Sequence, residues 1–139
     1  MELPNSLIEG SIKRGDILHS TIFEEIDHGK FFAVMGISDG MVAGFFFINS
    51  RIHPTLQSKP EQFAMQYLLR KSDYDFLRYD SFLCATVLLK IPVPKLAESI
   101  VSRQTSLVSK LTDVDLNSVL EACRQSKLFS KKEKIQFFY

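Results

Sequence analysis

Tryptophan is absent from this 139-residue chain, cysteine occurs only twice, and no glycine lies beyond Gly44. Cys84 and Cys123 are far apart with no CxxC spacing. Two such residues are too few for a disulfide framework or a cysteine-built zinc site, and both are expected to be reduced and buried. Excess charge is also lacking, because 17 Lys+Arg against 16 Asp+Glu leave a net +1. The chain as a whole therefore exerts no long-range pull on polyanions, and a nucleic-acid partner requires a local basic cluster. The longest apolar run, Met41–Ile48, is far shorter than the roughly 18–20 residues that cross a bilayer. Residues 1–15 carry Glu2 and Glu9, lack a basic start and offer only Leu7-Ile8 as an apolar pair. That is not the pattern of a secretory signal, and the expected location is the cytoplasm, with no membrane contact. No glycine-rich phosphate loop, GxSxG elbow or HExxH occurs, and no cofactor is expected.

What is present is a globular composition, 45% hydrophobic and 24% charged, sized for one domain over 1–139. Residues 15–91 are rich in Phe, Val, Ile, Leu and Tyr, as strands are. Asp39-Gly40 between 31–37 and 41–50 supplies the positive φ angles of a two-residue hairpin turn. That turn sets Ile37 opposite Val42, Gly36 opposite Ala43, Met35 opposite Gly44, Val34 opposite Phe45, Phe32 opposite Phe47 and Lys30 opposite Asn49. Gly36 and Gly44 then cluster, which suits a strongly bent sheet or small barrel. A first strand is expected from Gly15, a loop over 51–62, a strand or short helix over 63–70, a half-exposed edge over 72–80 and one central strand over 81–91. Pro92 and Pro94 begin a helical composition. Thr112 with Asp115, and Ser130 with Glu133, have capping-box spacing. A helix from about 113 to 125, burying Leu116, Val119, Leu120 and Cys123, and a short last helix follow. The expected fold is mainly β (β + α), a small strongly bent antiparallel barrel over 12–92 with a helical part over 93–139.

The candidate chemistry is sparse. His19, His28 and His53 share no metal-ligand spacing, so no metal site is expected. Cys84 between Leu83 and Ala85 reads as structural, because an apolar strand suppresses the thiolate. Glu24-Glu25 and Asp73, Asp75 and Asp80 read as solvated loop and edge charges. Basic residues flank the strands: Lys13-Arg14 before the first, Lys30 before the second and Arg51 after the third. With Asn49 and Ser50 they would form a small polar-basic cluster beside aromatics, a surface suited to single-stranded RNA. The uniformly apolar hairpin also leads to the expectation of a homodimer.

Gly15-Asp16-Ile17-Leu18, Gly29-Lys30, the strand from Phe31-Phe32-Ala33 to Ser38, and Ile48-Asn49-Ser50 together resemble the MazF/PemK-type toxins of toxin–antitoxin systems. Tyr79-Asp80-Ser81-Phe82-Leu83-Cys84 and the helix opening at Leu111-Thr112-Asp113-Val114-Asp115-Leu116 extend the likeness over most of 15–126. The resemblance implies an SH3-like barrel, a homodimer, an antitoxin-like protein partner and metal-independent cleavage of single-stranded RNA. Where the family opens its second strand with Arg-Pro, the arginine being catalytic, this chain has Phe31-Phe32. Ser50 is the nearest match to the family's second catalytic position, and Lys30, Arg51 or a histidine would have to stand in for the arginine. Arg14, Lys30, Asn49, Ser50 and Arg51 would then contact RNA or a partner, with catalysis lost or altered. The alternatives are an active endoribonuclease with a rearranged site and a structural or assembly module without RNA binding.

Overall fold

The computed structural model describes residues 11–22, 29–48 and 58–139. Strands β1 (Asp16–Ser20), β2 (Lys30–Ser38) and β3 (Met41–Ile48) form the centre of an antiparallel sheet. The hairpin turn is as the sequence implies: Asp39 and Gly40 have φ of 52° and 73°, between the flanking pair Ser38 and Met41. The expected register holds only for the first pairs, Ile37 with Val42 and Gly36 with Ala43. A bulge at Met35 then shifts it, so Val34 faces Gly44, Ala33 faces Phe45 and Phe32 faces Phe46 rather than Phe47. The extra residue sharpens the twist just where the glycines leave room for it. The expected pairing of Lys30 with Asn49 falls outside the described residues.

Downstream, both readings of 63–70 are realised in part. One helical turn, α1 (Pro60–Phe63), whose first three residues lie in the stretch expected as loop, leads into β4 (Gln66–Leu69). The expected central strand over 81–91 is instead two, β5 (Ser81–Cys84) and β6 (Leu89–Pro92), which run along the same side of β3 and pair with its far and near halves. Between them the chain loops out, and the Ala85 N–H turns to the Met65 carbonyl. Residues 72–80 are not an edge strand. They form a 3-10 turn (Lys71–Asp73) and bends that bury Tyr74 and Leu77 while Asp73, Asp75 and Asp80 face solvent.

Helix α2 (Val93–Val101) follows the prolines. The region expected to be wholly helical then returns to the sheet as β7 (Thr105–Lys110), antiparallel to β1. Its strand state comes from that pairing, since TSLVSK alone carries little strand signal. Buried hydroxyls tie the seam, with Thr105 Oγ1 2.7 Å from Ser20 Oγ and 2.8 Å from Ser99 Oγ of α2. Helices α3 (Asp113–Gln125) and α4 (Lys131–Phe137) match the sequence reading, each capped as expected: Thr112 accepts from the Asp115 N–H, and Ser130 with Glu133 forms the full capping box. Val119, Leu120 and Cys123 are buried, and Leu116 is half-buried against the core.

The sheet has two apolar faces, both covered. Ile17, Ala33, Met35, Ala43 and Phe45 pack under α3 and the C-terminal Phe129, Phe137 and Phe138. Leu18, Phe32, Val34 and Val42 pack against Ile91, Val93, Leu96 and Ala97. The described core of the hairpin is thus filled by its own chain. The result is a mixed domain in which β7-β1-β2-β3-β6 form the main antiparallel sheet and β4-β5 a smaller one. Among the described residues no pairing closes it into a barrel.

Two buried groups set the alkaline limit. Tyr74 donates its hydroxyl to Asp115 Oδ2 and accepts the Thr112 N–H at 3.0 Å. Burial first, and then the Asp115 carboxylate, raises its pKa from the usual 10.0 to about 12. Burial likewise pushes the Cys123 thiol to about 12. Raised acids favour the fold while protonated. Their contribution is complete below their unfolded pKa values, about 8.5 for Cys and 10 for Tyr, and is lost as pH rises toward the folded values. Thermal melts followed by circular dichroism should hold level to about pH 8.5 and fall steadily toward pH 12. Tyr74→Phe should start lower at neutral pH and fall less above pH 10; parallel curves would refute the assignment.

Candidate nucleic-acid interface

At the end of the sheet where β1 finishes and β2 begins, Gly29 takes φ of 77°. A Cβ there would lie 2.8 Å from His19 Cε1 and 2.9 Å from both His19 Nε2 and the Ser20 carbonyl oxygen. Only glycine allows both the turn and this close seat for the imidazole. His19 faces Phe31 across the strands, with ring centroids 5.0 Å apart and an edge-on angle of 62°. Phe31 in turn lies 4.9 Å from Phe76, and Phe76 6.1 Å from Tyr74. A row of rings therefore runs from the sheet end to the start of α3, where Tyr67 and Tyr74 both donate to Asp115. His19, Phe31 and Phe76 are each half-buried, leaving ring area at the surface.

Lys30 lies at the same end, half-buried and opposite Ser20, so the pleat puts it on the other face from Phe31. Asn49, Ser50 and Arg51 lie outside the described residues, as do His28, His53, Glu24 and Glu25. Arg14 does not join Lys30. Because β1 and β2 are antiparallel, Arg14 lies beside Met35, about 17 Å along β2 from Lys30 at 3.3–3.4 Å per residue. There its Nε donates to the Met35 carbonyl at 2.7 Å, and Nη2 donates to the main-chain oxygens of Phe137 at 3.1 Å and Tyr139 at 2.9 Å. Arg14 is an anchor for the C-terminal segment, a role visible only once residues far apart in sequence are brought together.

Cys84 is half-buried rather than buried, accepting from Gln66 Nε2 at 3.4 Å and lying 3.2 Å from Thr86 Oγ1. Among the described residues no three His, Cys, Asp or Glu side chains gather as a metal would require, and no helix is long and apolar enough to cross a membrane. The ring row was missed in the sequence because Phe76 and Tyr74 come from a loop and meet Phe31 only through tertiary packing. What the arrangement offers chemically is stacking surface and a cation at one sheet end. No protein-family model matches the chain, and no curated protein is similar to it.

Proposed function

We propose that the protein is a MazF/PemK-like domain of SH3-barrel type that binds single-stranded RNA in the cytoplasm, with catalysis lost or altered. The observation that carries this reading is the row His19, Phe31 and Phe76, half-buried at the sheet end that also holds Lys30. Rings set edge-on and tilted, with surface to stack on, and a cation at the same sheet end on the opposite face are the groups that unpaired bases and their phosphates use. An antiparallel sheet with C-terminal helices packed on one face supports the reading as far as its elements go, without a closing pair among the described residues. The phenylalanines at the family's Arg-Pro positions leave the second strand without the family's arginine to stabilise phosphoryl-transfer charge, a loss worth on the order of a hundredfold or more in rate. Homodimerisation and an antitoxin-like partner belong to the same reading, on surfaces other than the hairpin core.

Fluorescence anisotropy with a labelled mixed-sequence RNA tests it. Binding should be weak, confined to single strands and reduced by salt, and Lys30→Glu with Arg51→Glu should weaken it for all sequences alike. Unchanged affinity in that double variant refutes the site. Cleavage of the RNA, abolished by Ser50→Ala and insensitive to chelator, would replace the binding-only reading with a nuclease.

A further inference from the structure

Charge is unevenly divided along this nearly neutral chain. Residues 124–139 hold five cations, Arg124, Lys127, Lys131, Lys132 and Lys134, against Glu133 alone, a net +4. With a total of +1, the other 123 residues carry −3. The structure leaves most of these cations available. Glu133 is engaged by Lys90 at 3.2 Å and Glu121 by Arg124 at 3.7 Å, and Lys127, Lys131, Lys132 and Lys134 form no ion pair among the described residues. Lys127, Lys131 and Lys132 are exposed.

An aromatic ring stands beside one of these cations. Tyr139 is 70% exposed, and the Arg124 guanidinium lies 4.9 Å from its centroid while Arg124 Nε holds the Phe138 carbonyl at 2.6 Å. Arg14, which donates to the Tyr139 main-chain oxygen, brings a second guanidinium to the same place. Burial, and after it the neighbouring Arg124, lowers the pKa of Arg14 from its usual value. The ring is held on its arginine side with much of its area in solvent.

We propose that this C-terminal face is a second contact surface for single-stranded RNA, with Lys127, Lys131 and Lys132 taking phosphates and the Tyr139 ring stacking a base. It rests on the reading of the chain as an RNA-binding domain and extends that reading to the opposite end of the sheet. An acidic peptide fits less well. A cluster of cations can also take an acidic motif, but such a motif makes no use of the exposed Tyr139 ring, on which a base stacks. A single strand needs no more than cations spaced along a surface and a ring face.

The test uses the full chain and a labelled oligouridine of about 20 nucleotides, followed by anisotropy across a salt series. Wild type should show a log–log salt slope near −3, from four or five phosphate contacts at about 0.7 each. Lys127→Glu with Lys131→Glu and Lys132→Glu should weaken binding at least tenfold and flatten the slope by about 2. Tyr139→Ala should cost about tenfold with the slope unchanged, as loss of stacking does. All these positions are exposed, so unchanged circular dichroism melts are expected and certify the fold. If the triple variant binds like wild type while Lys30→Glu with Arg51→Glu abolishes binding, the second surface is refuted and the first stands. If wild type binds no oligouridine at low salt, both fall. If polyglutamate displaces the RNA as readily, charge for charge, as unlabelled oligouridine does, the face is one for acidic partners and the RNA assignment is overturned.

Discussion

Replacing Gly44 by alanine is expected to lower the melting temperature by more than 10 °C, the largest loss from any single methyl group added to the hairpin. Gly44 faces Val34 just past the bulge, and an added Cβ would fall on the carbonyl oxygen of Ala33, with the Ala33 carbonyl carbon and Phe32 Cε1 both at 2.9 Å. Two of the three obstacles are backbone of the neighbouring strand, which cannot step aside without opening the pair at the centre of the core. Destabilisation of about 4 kcal/mol or more belongs to this class of change, and a domain of this size loses roughly 3 °C per kcal/mol. Gly36→Ala should cost less. Its Cβ would meet the Phe137 carbonyl and, at 2.8 Å, Phe137 Cα, so the strain can be relieved by lifting α4 from the sheet. Gly40→Ala meets nothing within 4 Å and carries only the penalty of φ at 73°, about 1 kcal/mol. Melts of the three variants should rank in that order; a Gly44→Ala protein as stable as Gly40→Ala would refute the proposed close strand approach.

The same hairpin shows what the sequence could convey. Asp39-Gly40 specifies the turn by local chemistry alone, and Thr112 and Ser130 specify the starts of α3 and α4 in the same way. The bulge at Met35 has no such local signature. It is a compromise between the twist of the sheet and the buried side chains on both faces, so the register read outward from the turn was right for two pairs beyond it and then off by one. Strand β7 was hidden for a related reason, since Ser106, Ser109 and Lys110 carry little strand preference and the segment is held by β1. Residues 72–80 alternate acidic and apolar side chains as an edge strand does, but Tyr74 and Leu77 turn inward from bends. For the candidate site, Lys30 was legible by position, as the basic residue before the second strand. The row of rings was not, because His19 meets Phe31 through strand pairing and Phe76 and Tyr74 come from a loop more than forty residues downstream.

Removing the Arg14 guanidinium should release the C-terminal segment while leaving the sheet folded. Arg14 bridges three main-chain oxygens, of the bulged Met35 and of Phe137 and Tyr139, so one side chain joins the irregular point of β2 to the end of α4. Hydrogen bonds from a charged donor contribute about 1.5–3 kcal/mol each and do not add in full. Arg14→Met should therefore cost about 3 kcal/mol, near 10 °C in melting temperature. Arg14→Lys should not restore it, because an ammonium lacks the planar fork that serves oxygens lying in different directions. Hydrogen exchange locates the effect: amides of α4 should lose protection while those pairing β1 with β2 keep theirs. Gly36 seats Phe137 on the same stretch of β2, so Gly36→Ala and Arg14→Met should give overlapping exchange patterns and combine less than additively. Arg14→Met should also leave the RNA binding proposed for the Lys30 end unchanged at temperatures where the sheet is folded, since the two residues stand at opposite ends of the β1–β2 pair. A melt within about 2 °C of wild type, or protection lost evenly across the sheet, would show that the segment is held by the packing of Phe137 and Phe138 instead.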